Sequence, residues 1–91
     1  MALKDCVFEK EAAKWLDKPP SKKIRDQILA RIARLKFDPA PPGSRKVRSE
    51  RDGYYEVRRI KNGPYRIIYG LDVGDCRLVI TRIGHRKNVY D

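Results

Sequence analysis

The chain has 91 residues, 41% of them hydrophobic, with 22 lysines and arginines against 12 acids and a formal charge of +10. That length fills one core and not two, so a single domain over residues 1–91 is expected. The self-repelling charge points to a polyanionic partner, nucleic acid, an acidic protein or a membrane; a membrane is the least expected, since no apolar run approaches ~18 residues and no signal peptide is visible after Met1, and a cytoplasmic location is expected.

Residues 3–8 read as an opening strand with Cys6-Val7-Phe8 as its apolar part. Residues 9–17 change to helical spacing: Ala12, Ala13 and Leu16 share one side, with Trp15 near its edge as a core residue. Pro19-Pro20 stops this helix, because neither ring nitrogen can donate and Pro20 forces its predecessor into an extended conformation. Ser21 then caps a second helix, whose apolar stripe is Ile24, Ile28, Leu29, Ile32 and Leu35. Lys22, Lys23, Arg25, Arg31 and Arg34 take its other faces. The short break between the helices makes them a hairpin, and Asp38-Pro39 through Pro41-Pro42-Gly43 forms a stiff connector.

The second half is all strand, over residues 54–60, 65–71 and 77–83. Lys61-Asn62-Gly63-Pro64 and Asp72-Val73-Gly74-Asp75 supply the turns. The order β-α-α-β-β-β predicts an α+β fold, with the helical hairpin packed on one face of a mainly antiparallel sheet. Cys6 and Cys76 fall on strand-like segments and read as reduced core residues. With no CxxC and one histidine, neither a metal site nor a cofactor is expected.

Strand alternation also places the cations. If Tyr55 and Val57 face the helices, Glu56 and Arg58 point to the open face of the sheet. Tyr65, Ile67 and Tyr69 facing inward then leaves Arg66 beside Arg58. Paired arginines repel, and an anion between them relieves the repulsion. Arg45, Lys46, Arg48, Lys61 and Lys87 extend this basic surface as candidate nucleic-acid contacts. Residues 84–90 add His85, Arg86 and Tyr90, side chains suited to acid–base work on a phosphate ester.

Tyr55-x-x-Arg58, Tyr65-Arg66-Ile67-Ile68-Tyr69 and Arg82-Ile83-Gly84-His85-Arg86-x-x-Val89-Tyr90 resemble the RelE/ParE superfamily of toxins from type II toxin–antitoxin systems. The resemblance spans nearly the whole chain, and is with the RelE-like members. It implies a ribosome-dependent mRNA interferase, an endoribonuclease that cuts mRNA in the ribosomal A site. The substrate's own 2′-hydroxyl attacks the adjacent phosphate, without a metal, and leaves a 2′,3′-cyclic product. Matching positions imply that Arg58 and Arg66 stabilise the phosphate, that Arg86 serves leaving-group protonation, and that Tyr90 is a base. His85 and Glu56 are rivals for proton transfer, and Glu56 stands where relatives commonly place a cation. The hairpin over residues 59–64 reads as longer than the family's tight turn. Implied partners are the ribosome, mRNA and a small acidic antitoxin. The alternatives are a ParE-like inhibitor of DNA gyrase and a non-catalytic basic RNA-binding protein.

Overall fold

The computed structural model describes residues 3, 5–47, 55–72 and 74–89, with Tyr55 and Glu56 described as backbone only. Arg48, Tyr90 and the side chain of Glu56 therefore lie outside the described residues.

The chain opens with β1 (Asp5–Phe8) and α1 (Lys10–Asp17), and Pro19-Pro20 separates α1 from α2 (Lys22–Leu35). Ser21 is extended, and its Oγ accepts a hydrogen bond from the Ile24 amide at 3.1 Å, so the expected N-cap is present. Ile28, Ile32 and Leu35 are buried, and Ile24 and Leu29 are half-buried, as the stripe requires. On α1, Ala12 is fully buried and Leu16 half-buried, but Ala13 is exposed. One step along a helix turns about 100°, which carries Ala13 off the contact side.

Five strands form one sheet in the order β1-β5-β4-β3-β2. They include the two-residue β2 (Arg45–Lys46), β3 (Tyr55–Asn62), β4 (Tyr65–Asp72) and β5 (Arg77–His85). β1 runs parallel to β5, and the other pairs are antiparallel. The expected architecture holds, with β2 as an additional edge strand. Two residues carry no periodicity, so β2 exists only by pairing with Arg58 and Arg59. Cys6 lies on β1, but Cys76 occupies a turn with φ +51° rather than a strand. Both are free and half-buried; burial pushes the Cys6 thiol up, and nearby Lys36 partly offsets it.

The core lies between the helices and one sheet face: Ile28, Ile32 and Leu35 meet Ile60, Ile67, Tyr69, Leu78, Ile80 and Ile83. Each such aliphatic side chain contributes about 1.5–3 kcal/mol by leaving water. Tyr69 is fully buried, and its hydroxyl donates to the Pro39 carbonyl at 2.6 Å, fastening the connector to the sheet.

Two local irregularities decide which residues face the core. The β3–β4 turn is only Gly63-Pro64, not the longer hairpin expected, because Lys61 and Asn62 pair with Arg66 and Tyr65. Gly63 has φ +60°, and a proline with its fixed negative φ follows, the sign combination of a II′ hairpin turn. The second irregularity is a bulge in β5. Ile68 pairs with Arg82 while Tyr69 pairs with Ile80, so Thr81 is the extra residue. Its Oγ1 donates to the Ile68 carbonyl at 3.0 Å across the break.

Candidate nucleic-acid interface

Directly paired residues share a face, so the register sorts every strand cation. Arg58 pairs with Tyr69, and Asn62 with Tyr65, which puts Arg58 and Asn62 on the helix side. The expected phase of β3 is therefore reversed: Val57, Arg59 and Lys61 take the open face, and Arg58 the other. Arg66 lies opposite Lys61, not Arg58. The tight turn is the physical reason, since it fixes the pairing through Lys61 and Asn62.

The bulge makes the matching change on β5. Regular alternation from Leu78 and Ile80 would send the Arg82 side chain into the core. The extra Thr81 instead puts Arg82 and Gly84 on the open face and buries Ile83. One row across the open face then reads Arg45, Arg59, Ile68, Arg82, and the next reads Lys61, Arg66, Gly84. No acid occupies a strand position in either row. At the far end of the sheet Arg77 lies 4.0 Å from Asp5 on β1. Arg59 and Arg82 thus join the candidate interface, neither having been singled out from the sequence; the two-residue Gly63-Pro64 turn was the signal for Arg59.

Arg66 is the centre of this face, and only 7% of it is exposed. Its Nη1 donates to the carbonyls of Gly63 at 2.8 Å and Tyr65 at 3.1 Å. Its Nε is buried with no hydrogen-bond partner among the described residues. A desolvated, unsatisfied guanidinium N–H is costly, and a phosphate oxygen would meet it only after an outward shift of the Arg66 side chain.

The closing segment folds onto the same corner. The Arg86 amide donates to the Pro64 carbonyl at 2.8 Å, so the Gly63-Pro64 turn anchors both Arg66 and the start of the turn carrying Arg86 and Lys87. Both of those side chains are exposed. Val89 is buried over Gly84, with its Cβ 3.7 Å from where a Gly84 side chain would begin. The Val89 carbonyl also accepts from Arg82 Nη1 at 3.3 Å.

His85 pairs with Tyr65 and so leaves the strand on the helix side. Its ring stands edge-on to Tyr65 with centroids 5.8 Å apart, and Tyr65 meets Trp15 at 6.0 Å. His85 Nδ1 accepts from the Lys87 amide at 3.2 Å, which assigns the neutral ring's proton to Nε2. A groove of about 490 Å³ opens beside it, between Trp15, Tyr65 and the end of β5. Arg58 is held apart from all this: its Nε and Nη2 donate to Ser44 Oγ at 3.2 and 2.9 Å. Lys46 lies opposite Arg58, on the helix side, while Arg45 lies opposite Arg59. Of the expected set, the fold brings together Arg45, Lys61, Arg66 and the turn of Arg86 and Lys87; Arg58, Lys46 and the His85 side chain lie toward the helix side.

Comparison with known proteins agrees with this architecture. A family model described as the ParE toxin of the type II toxin–antitoxin system parDE matches residues 7–90. Among solved structures, the chain is similar to RelE in the archaeal RelE–RelB complex from Pyrococcus horikoshii, with 23% identity over 97% of this chain and 99% of that one, at a TM-score of 0.77. It is similar to the isolated E. coli RelE toxin at 18% identity, covering 93% of this chain and 84% of that one, with a TM-score of 0.72. The RelB–RelE complex from Methanococcus jannaschii matches at 26% identity over 93% and 95% of the two chains, with a TM-score of 0.67. No curated protein sequence matches. The chain belongs to the RelE/ParE superfamily of type II toxins.

Proposed function

We propose that this toxin is a RelE-like mRNA interferase, which enters the ribosomal A site and cuts the mRNA there without a metal ion. One observation carries the reading: the Arg66 guanidinium is largely desolvated and fixed by the Gly63 and Tyr65 carbonyls, in the cationic rows that also hold Arg59, Lys61 and Arg82. In the reaction the 2′-oxygen bonds to the adjacent phosphorus and the P–O5′ bond breaks. The 2′-hydroxyl gives up a proton, and the departing 5′-oxygen gains one. Negative charge grows on the non-bridging oxygens meanwhile, and cations already in place stabilise it without reorganising. Arg66 takes that task, with Arg59, Lys61 and Arg82 beside it. Arg58 faces the other way and takes no part at this face.

Arg86, whose amide donates to the Pro64 carbonyl, takes leaving-group protonation, the role implied by its match to the family motif. His85 commits Nδ1 as an acceptor and turns its ring to the helix side against Tyr65, so it serves neither the 2′-hydroxyl nor the phosphate held at Arg66. Proton abstraction is left to Tyr90 or Glu56. DNA, lacking the 2′-hydroxyl, is not a substrate. Arg45, Arg48 and Lys87 add backbone contacts to RNA, while Lys46, paired with Arg58, faces the other way. The superfamily and the RelB-bound relatives support an antitoxin as partner, and an acidic segment complements the +10 charge. Ribosomes as the target make the cytoplasm its place of action.

Because the matching family model is that of ParE toxins, inhibition of DNA gyrase is the second reading. Primer extension on translated mRNA after brief induction separates them. The wild type is expected to leave discrete cuts within codons, and Arg66→Ala to reduce them by about 10²-fold or more. Intact mRNA together with blocked supercoiling by purified gyrase would establish the second reading instead.

A further inference from the structure

The outer edge of β5 changes character halfway along. β1 accompanies β5 only from Arg77 to Ile80, and the last bond there runs from the Glu9 amide to the Ile80 carbonyl at 2.9 Å. The chain then turns into α1, so among the described residues positions 82–85 have no strand on their outer side. The groove of about 490 Å³ lies there, with residues 82–85 along one wall and Glu11, Trp15 and Lys18 along the other. Its volume falls in the range of about 300–1,000 Å³ that small organic ligands occupy.

The lining is aromatic and polar at once. Trp15, Tyr65 and His85 are all half-buried and meet in series, with interplanar angles of 63° and 81°. Edge-to-face contact holds these rings in place without stacking them on one another, which leaves stacking to a flat ligand. Hydrogen-bonding groups stand beside them: the side-chain amide of Asn88, and the Nε2–H of His85, whose Nδ1 is taken by the Lys87 amide. Lys18 and Arg82 outnumber Glu11 among the charged lining residues. Two positions join the groove to the cationic face. Gly84 lies directly opposite Arg66, and Arg82 stands in the row of Arg59, yet both line the groove. Neighbouring strands are about 4.8 Å apart, so the backbone of Arg66 is within the span of one nucleotide.

From these features we infer that the groove is a nucleobase subsite, which takes the base of one nucleotide in the RNA strand whose phosphates lie along the cationic rows. The base stacks on the rings of Trp15, Tyr65 and His85, while Asn88 and His85 Nε2–H meet its edge. The occupant is a base rather than an apolar side chain of a protein, because hydrogen-bonding groups accompany the rings and the groove continues a cationic face. The inference deepens the reading above and rests on it for the ligand, a single strand of RNA.

The test reads binding and not cleavage. Trp15 is the only tryptophan, so its fluorescence reports on the groove alone. The whole purified chain is titrated with a 2′-O-methyl hexaribonucleotide and with an abasic hexamer carrying the same phosphates. The first is expected to quench Trp15 and to bind about fivefold tighter or more, and the second to leave the fluorescence unchanged. His85→Ala should abolish that preference but keep the log–log salt slope, since no phosphate contact is lost. Trp15→Leu, followed by anisotropy of labelled hexamers, should do the same, while Lys22→Ala with Lys23→Ala should leave the preference intact. Thermal melting checks folding, and if Trp15→Leu does not fold, His85→Ala decides. If both hexamers bind and quench alike, or if His85→Ala keeps the preference, the inference is overturned while the RNA reading stands. Binding of neither hexamer overturns both. The subsite also falls if N-acetylleucinamide shifts the Trp15 emission and the hexamer does not, which would assign the groove to a protein. It falls equally if mononucleotides quench Trp15 and the hexamer does not, which would bring the base from another RNA. A chain that shows the base preference yet leaves translated mRNA intact would lose the interferase reading and keep the subsite.

Discussion

The two faces of the sheet are built from the same strands by alternate residues, yet they solve opposite problems. The helix side is closed: Ile60, Ile67, Tyr69, Leu78, Ile80 and Ile83 meet the α2 stripe, and even its polar members are tied down, Arg58 to Ser44 and Asn62 to Arg31 and Gln27. The open side gathers Arg45, Arg59, Lys61, Arg66 and Arg82 without an intervening strand acid. Folding energy comes from the first face, and the second works against it by self-repulsion. A binding surface of this kind is therefore borrowed from the stability of its reverse side, and each residue's role follows from which side the register gives it.

The comparison can be broken at neighbouring positions. The largest effect is expected at Ile67, which is fully buried: Ile67→Ala should cost about 2–5 kcal/mol in denaturant unfolding. Arg66→Ala, one residue away, should cost much less while removing the mRNA cuts. Equal losses of stability would mean that Arg66 is a packing residue. Next comes the turn that sets the register. Gly63→Ala places a side chain at φ +60° and should cost about 1–2 kcal/mol, whereas Gly63→Asn should recover most of it. Nothing lies within 4 Å of the new Cβ, so the cost is conformational and not steric. The smallest effect tests the face assignment directly. Arg59→Ala should make the log–log salt dependence of RNA binding shallower by about 0.7, one phosphate contact on a single strand, and Arg58→Ala should leave it unchanged. A shallower slope for Arg58→Ala alone would restore the phase first expected from the sequence.

Much of the fold was legible in the residues. The Ser21 cap, the Pro19-Pro20 break and the Ile28–Ile32–Leu35 stripe each follow from local chemistry, and β4 alternates cleanly enough to fix its own phase. β3 does not. Val57 invites an inward assignment, and Arg58 sits on the core side only because it can reach Ser44 at the sheet's margin. Its phase is set by pairing through Lys61 and Asn62, a long-range fact that no window of β3 contains. The bulge at Thr81 is invisible for the same reason: Arg77 to His85 reads as an unbroken strand until Tyr69 and Ile68 are placed beside it. The face was read correctly for Arg66, on a strand that fixes its own phase, and incorrectly for Arg58, on a strand whose parity comes from its neighbour. Missing that parity also left Arg59 and Arg82 out of the site.

The parallel pairing of β1 with β5 has a consequence for how the molecule comes into being. It joins residues 5–8 to residues 77–80, so the first strand made waits for the last before it gains a neighbour in the sheet. The helical hairpin can form as it emerges, since its contacts are local, but closing that long loop must precede any reward from the parallel ladder. On a translating ribosome the sheet thus stays incomplete until residues 77–80 have emerged. Until then the cationic rows lack β5, and the nascent chain cannot assemble the candidate interface.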